Sequence, residues 1–335
     1  MSHWIRVTIK VLITVGLLGF LIYQMDLRVL ANILLSADPF FICLGVLIQV
    51  VSLAFSSIRW QVILRDFNIH TRFLKLTELN LIGYFFNLFL PSGIGGDFFR
   101  AYYLGKREHR GMSTTLTTTV LERSAGLCAL LVIGTFFSIF QDISVEGVRL
   151  IYVFLVVITL YLLGNVILFH TWIHQKISLL LRRKHLQHIE DKMELVYQGL
   201  NRLRHNKVTI LKTLVVSLII QLLAVIIVWV AAHALHIEAP FGVFLVFVPI
   251  INLSIMVPVT INGIGLRESL FYLLFSRIGF PVEMAVGLSL MTLFLYCVTA
   301  FPGLFVYSLY KKNENLGAPS ELSLLAGDDQ EELEE

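Results

Sequence analysis

Long apolar runs set the rhythm of this chain, at about 7–25, 39–58, 113–140, 149–169, 208–235 and 282–310. Each approaches or exceeds the roughly 20 residues that a bilayer core requires of a helix. Two further apolar segments, 76–105 and 241–281, are broken in the middle. The first carries "NLFLPSGIGGDFFRAYYL" at 87–104 and the second "VPVTINGIGLRES" at 257–269. Proline, glycine and charge inside an apolar segment are tolerated only where protein or trapped water satisfies them.

Lysine and arginine assign the ends, because cytoplasmic loops carry the excess. His3, Arg6 and Lys10 place the N-terminus in the cytoplasm, and Asp26, Arg28 and Asp38 mark an outer loop. Arg59, Arg65, Arg72 and Lys75 lie inside, and so do Lys106, Arg107 and Arg110 beyond the first break. Both flanks of that segment therefore face the cytoplasm. Residues 76–90 reach only about 22 Å as a helix, against a core of roughly 30 Å, so the segment is expected to re-enter. The loop at 141–149 holds one cation, Arg149, and is outside. The stretch 170–207 is an inner amphipathic linker with eight (Lys176, Arg182, Arg183, Lys184, Lys192, Arg202, Arg204 and Lys207). "HALHIEAP" has none and is outside, while Lys311 and Lys312 return the C-terminus to the cytoplasm. Residues 241–281 then form a second hairpin, entering from the opposite face.

The two breaks share a spacing. Gly96 follows Pro91 by five residues and Arg100 follows it by nine, as Gly263 and Arg267 follow Pro258. The expected fold is an all-α integral membrane protein with about six full spans and two re-entrant helical hairpins in an inverted repeat, or eight spans if the hairpins cross. Inverted repeats with interrupted helices are a transporter feature, with the substrate site between them near mid-membrane.

Composition agrees: 57% of the 335 residues are hydrophobic, 15% are charged and the mean hydropathy is +0.80. Soluble domains average about 25% charged residues, so a soluble enzyme or nucleic-acid-binding class is excluded. The net charge of +3 conceals eight acidic and no basic residues between Asn313 and Glu335. Residues 1–312 read as one membrane domain and 313–335 as an acidic, solvated tail. Cys43, Cys128 and Cys297 lie within apolar runs and read as small buried hydrophobes. The first run lacks a small-residue cleavage site and reads as an uncleaved span.

A helix that restarts after a break presents unpaired N–H groups and a positive dipole end, which together attract anions. Gly95 and Gly96 with Arg100, and Asn262, Gly263 and Gly265 with Arg267, are the candidates. Asp97 and Glu268 can each cap the restarted helix or pair with an arginine, and Asp97 can also carry a coupling proton. "STTLTTTVLERSAGL" adds Glu122 and Arg123 at mid-depth on a polar stripe with Thr115, Thr118 and Thr119. Their alternatives are a structural ion pair or a phosphate contact by Arg123. "SIRW" (Arg59, Trp60) reads as an interfacial anchor, and His170 with His174 as interfacial histidines rather than metal ligands. No cofactor motif and no nucleophile–base constellation is present.

In order, Arg59–Trp60, "LPSGIGGDFFR", "ERSAGL" and "TINGIGLRE" resemble the flippase-like family, also named the lysylphosphatidylglycerol synthase transmembrane region, over residues 5–312. The resemblance rests on Pro91, Gly95, Gly96, Asp97, Arg100, Glu122 and Arg123, with Gly265 and Glu268 in the second half. Where the family often has Gly-Gly, this chain has Asn262–Gly263. The resemblance implies a multi-pass protein of the bacterial inner membrane that flips an anionic phospholipid or lipid-linked intermediate between leaflets. The alternative is a membrane enzyme or accessory subunit acting on a lipid headgroup. Synthase members add a soluble catalytic domain, for which the residues after 312 leave no room, so no synthase activity is expected. Expected partners are the bilayer, its lipids, a second copy of the chain or a cytoplasmic enzyme, and no nucleic acid.

Overall fold

The computed structural model describes residues 3–89, 95–108, 110–141, 143–145, 147–169, 197, 201, 206–256, 260 and 263–313. Pro91, Gly93, Pro258, Asn262, the histidines of "HTWIH", almost all of the 170–207 linker and the tail from 314 lie outside them.

The first helix, α1 (His3–Gln24), meets α2 (Leu27–Leu35) at 89°. Residues expected as an outer loop thus contain a second helix, capped by Asp26, which accepts the Arg28 N–H at 2.7 Å. Charge alone had marked this stretch as polar and hid its buried Leu30. α3 (Pro39–Asp66) starts at Asp38, whose carboxylate takes the Phe40 N–H at 2.8 Å, with proline in the first turn. The helices α4 (Phe73–Phe89) and α5 (Gly95–Arg107) follow, then α6 (Met112–Phe140). A short ribbon of β1 (Ser144–Val145) and β2 (Val148–Arg149) leads to α7 (Leu150–Phe169). The second half holds α8 (Lys207–Ala234), α9 (Phe241–Ile255), α10 (Leu266–Phe275), a single 3-10 turn (Ser276–Ile278), α11 (Val282–Ala300) and α12 (Pro302–Asn313).

Among the described residues four helical stretches are long and apolar enough to cross a membrane, and the bent α1–α2 pair makes up to five. They are Pro39–Asp66, Met112–Phe140, Lys207–Ala234 and Val282–Leu309. The ribbon between α6 and α7 was not expected. It turns on Gly147 at φ 81° and is too short to leave a hydropathic period.

Both broken segments fold as pairs of antiparallel helices. In the first, Asn80 meets Arg100, and Asn87 and Gly83 meet Gly96. A methyl group on Gly96 would stand 1.9 Å from the Gly83 carbonyl oxygen, so the close approach requires glycine there. In the second, Phe244 and Phe247 pack on Phe275, while Ile255 sits over Gly263.

The ends gather on two faces. At one, Gln61 donates to the Thr71 carbonyl (3.0 Å), Thr71 to Glu108 (2.9 Å) and Asn206 to Asp66 (2.8 Å). At the other, the Asp26 N–H meets Glu283 (3.0 Å) and the Asp38 N–H meets the Ala234 carbonyl (2.8 Å). These groupings join the loops that the lysine and arginine pattern assigned to a common side.

Helix packing pairs the halves. α3 packs on α4 as α8 packs on α9, α5 on α6 as α10 on α11, and α3 on α6 as α8 on α11. Across the halves, α6 touches α8 and α9, and α11 touches α3 and α4. The first helices of the two units, α3 and α8, lie against each other.

Candidate functional site

The long α3, which continues past the expected end at 58, carries Ser56, Arg59 and Trp60 into the interior beside the first hairpin. There Arg100 of α5 is buried, 6% exposed, within ion-pair distance of two carboxylates. Nε pairs with Asp97 Oδ1 at 3.1 Å and Nη2 with Glu122 Oε2 at 2.8 Å. Nη1 donates to Asn80 Oδ1 at 2.6 Å, and the guanidinium carbon lies 4.7 Å from the centre of the Trp60 ring.

Glu122, 1% exposed, is the common acceptor. Its Oε1 receives Arg59 Nη2 at 2.9 Å, Arg59 Nε at 3.2 Å and Ser56 Oγ at 3.3 Å. Asp97 Oδ2 receives Arg123 Nε. Arg59 Nη1 also donates to Ser217 of α8 at 3.3 Å, which ties the cluster to the second half. Buried charge is costly unless paired, and this network pairs it. Among the described residues three guanidiniums meet two carboxylates, one positive charge more than negative. Arg123 stands at the open edge, its side chain 35% exposed.

Backbone donors are less available than the sequence suggested. The Gly96 N–H donates to Asn87 Oδ1 at 2.9 Å, while the Gly265 N–H donates to Glu268 Oε2 at 2.7 Å. Asp97 therefore pairs with arginines, whereas Glu268 caps α10. Glu268 Oε1 also takes Arg267 Nε at 3.1 Å and Ser289 Oγ at 3.1 Å, and Arg267 Nε lies 3.0 Å from Ser289 Oγ. Gly263 and Gly265 have φ 74° and 83°, conformations that a side chain would strain. Thr14 and Leu17 of α1 close over Gly265.

The site residues thus fall into two sets. Gly95 and Gly96 open α5, and Asp97, Arg100, Glu122 and Arg123 form one network. Arg267 and Glu268 form a neutral pair with Gly265 and Ser289. Asn262 lies outside the described residues.

The anchor reading of Arg59 and Trp60 is corrected. Trp60 is fully buried and donates from Nε1 to Thr118 Oγ1 at 3.0 Å, and Arg59 neutralises Glu122. An aromatic–cation pair at the end of an apolar run looks the same in either role. No charge imbalance in the sequence told the two roles apart, because Asp97 and Glu122 already had Arg100 and Arg123 beside them. Asn80, Asn87 and Ser289 were also missed, because neutral polar residues barely interrupt hydropathy. Among the described residues no group of three or more His, Cys, Asp or Glu side chains is placed to hold a metal.

The family model described as the lysylphosphatidylglycerol synthase TM region matches residues 7–303. A UPF0104 membrane protein of Methanocaldococcus jannaschii is 32% identical over 93 residues, 28% of each chain. One of Methanothermobacter thermautotrophicus is 30% identical over 89 residues, 26% of each chain, and one of Pyrococcus horikoshii 27% over 112 residues, 33% of each. These matches span about a quarter to a third of the relatives' length. No solved structure matches the chain. The chain belongs to the lysylphosphatidylglycerol synthase TM-region family and is a multi-pass membrane protein.

Proposed function

We propose that this member of the family translocates an anionic phospholipid or lipid-linked intermediate across the membrane. The observation that carries the reading is the cluster of Arg59, Arg100 and Arg123 at the first hairpin, with one positive charge in excess among the described residues and Arg123 at its edge. A phosphodiester headgroup brings the single negative charge that balances it, and the acyl chains stay in lipid. Glu122 and Asp97 hold the arginines in position, so the headgroup exchanges its water shell for fixed donors.

The architecture supports the same reading. All four hairpin helices are short: the longest, α4, has 17 residues and reaches about 25 Å. We read both hairpins as re-entrant. The matched helix pairings, together with charged loops of alternating side, support an inverted repeat and alternating access. With α7 and the bent first helix, six spans result. Following the lysine and arginine pattern we place both termini in the cytoplasm, and following the family resemblance we place the chain in the bacterial inner membrane.

The test is translocation in proteoliposomes. Fluorescent phosphatidylglycerol in the inner leaflet becomes accessible to an added quencher only after flipping. Wild type is expected to expose it faster than protein-free vesicles, and Arg123→Ala to lose about 90% of that rate, the loss that follows from one headgroup contact of roughly 1.4 kcal/mol. Wild-type exposure no faster than in protein-free vesicles overturns the reading.

A further inference from the structure

Asp97 sits where the bound phosphate of that reading would sit, and its contacts differ from those of every other carboxylate in the two sites. It occupies the first turn of α5, where the helix dipole favours negative charge. Yet the nearby Gly96 N–H is satisfied by Asn87, so both Asp97 oxygens are turned to guanidiniums, Oδ1 to Arg100 and Oδ2 to Arg123. Glu268, by contrast, holds a backbone N–H, and Glu122 is shared between Arg59 and the buried Arg100. Breaking either of those contacts undoes a helix cap or strands a buried charge. Releasing Arg123 from Asp97 does neither, because Asp97 keeps Arg100 and Glu122 keeps Arg59. Arg123 is also the more exposed partner, with 35% of its side chain open against 9% for Asp97. An arriving anion therefore meets the arginine first.

We infer that Asp97 is a resident counter-anion: it holds the headgroup's place beside Arg123 and yields that arginine when an anionic lipid enters. The inference rests on the reading above of an anionic headgroup at this hairpin. It makes Asp97 a brake on affinity, since the lipid competes with an intramolecular carboxylate for one guanidinium. The apparent affinity is lowered by the fraction of time that Arg123 is so engaged. A group that lowers affinity also assists release on the far side, which a transporter requires.

The full chain, purified in detergent, is titrated with phosphatidylglycerol and with phosphatidylcholine, and bound lipid is counted by native mass spectrometry. Wild type is expected to prefer phosphatidylglycerol. Asp97→Asn is expected to bind it about fivefold more tightly, the scale of one partly exposed ion pair. Glu78→Gln, the same charge change on the same hairpin at its pair with Lys75, is expected to leave the affinity as it was. Unchanged or weaker binding by Asp97→Asn, or equal tightening by Glu78→Gln, overturns the counter-anion role while the anionic-lipid reading stands. Absence of any preference in wild type removes the anionic-lipid reading itself, and the counter-anion role with it. Should Asp97→Asn fail to fold, Arg123→Gln decides: the preference for phosphatidylglycerol is expected to vanish, and its retention overturns the inference.

Discussion

The two hairpins share one backbone device and differ in electrostatics. The register that sets Pro91 on Pro258 and Arg100 on Arg267 also sets Glu122 on Ser289. In the first half the arginine meets a buried carboxylate on the last helix of its unit, α6, at 2.8 Å. In the second it meets a hydroxyl at the same place, at 3.0 Å, and its carboxylate comes instead from its neighbour Glu268. One position on the last helix of each unit thus separates a shared network with a surplus cation from a closed, neutral pair. Aromatic packing is common to both hairpins, with Phe86 stacked on Phe99 in the first and Phe244 and Phe247 on Phe275 in the second, so the difference lies in the charged groups. The inference is that one half binds and the other braces.

The sharpest way to break that comparison is to remove the common acceptor. Glu122→Gln leaves Arg59 and Arg100 facing a neutral amide in a buried site, and losing one partner of a buried ion pair costs about 3–5 kcal/mol. The matching change in the second half, Glu268→Gln, leaves a single arginine, 13% exposed on its side chain, and a weakened cap, for about 1–2 kcal/mol. Thermal unfolding of both variants in detergent checks the order. If Glu268→Gln is the more damaging, the first half is not the electrostatic keystone.

Arg100→Met against Arg267→Met asks the same question from the cation side. Arg100 satisfies Asp97, Asn80 and Glu122 together, so its loss is expected to destabilise by about 3 kcal/mol and to abolish lipid translocation. Arg267→Met is expected to cost about 2 kcal/mol, because Glu268 keeps the Gly265 N–H and the Ser289 hydroxyl, and to slow transport without abolishing it. Equal losses of transport would mean that both halves take the headgroup.

How much of this was legible in the sequence follows from what each feature does to hydropathy. Helices of 28 residues such as α3 and α8 announce themselves, as do breaks at Pro91 and Pro258 that interrupt an apolar run. Asp97, Arg100, Glu122 and Arg123 stood out because charge is rare at that depth. Their connectivity did not. Nothing in the spacing shows that Asp97 turns from the backbone to Arg123, or that Glu268 turns back to Gly265, since both lie in the first turn of a restarted helix. That choice is made by Asn87, a neutral residue on the preceding helix that takes the Gly96 N–H first. The α1–α2 bend was hidden for a similar reason: the nine residues of α2 are too few to register as a run.

A smaller effect tests whether Ser289 has taken over the role of Glu122. Ser289→Ala removes one hydroxyl that bonds both Arg267 and Glu268, and is expected to cost about 1 kcal/mol. The ion pair survives, so the loss stays well below that of Glu122→Gln. A cost near 3 kcal/mol would place the hydroxyl at the centre of the second site and narrow the difference between the halves.

An effect of similar size concerns the tryptophans. Trp60 offers its ring face to Arg100 and its N–H to Thr118, whereas Trp229 of α8 packs its ring on His233 at 4.3 Å. Trp60→Phe keeps a face for the guanidinium but a weaker one, and removes the N–H. Thr118 is not stranded, because its hydroxyl already donates to the Thr115 carbonyl at 2.7 Å. The expected cost is therefore about 1 kcal/mol, together with a measurable fall in phosphatidylglycerol affinity as Arg100 loosens its hold on Asp97. Trp229→Phe is expected to leave that affinity alone, since its ring packs on His233 and Phe241 rather than on an arginine. If the two changes weaken lipid binding equally, the aromatic support of Arg100 is packing rather than electrostatics, and the asymmetry rests on Glu122 alone.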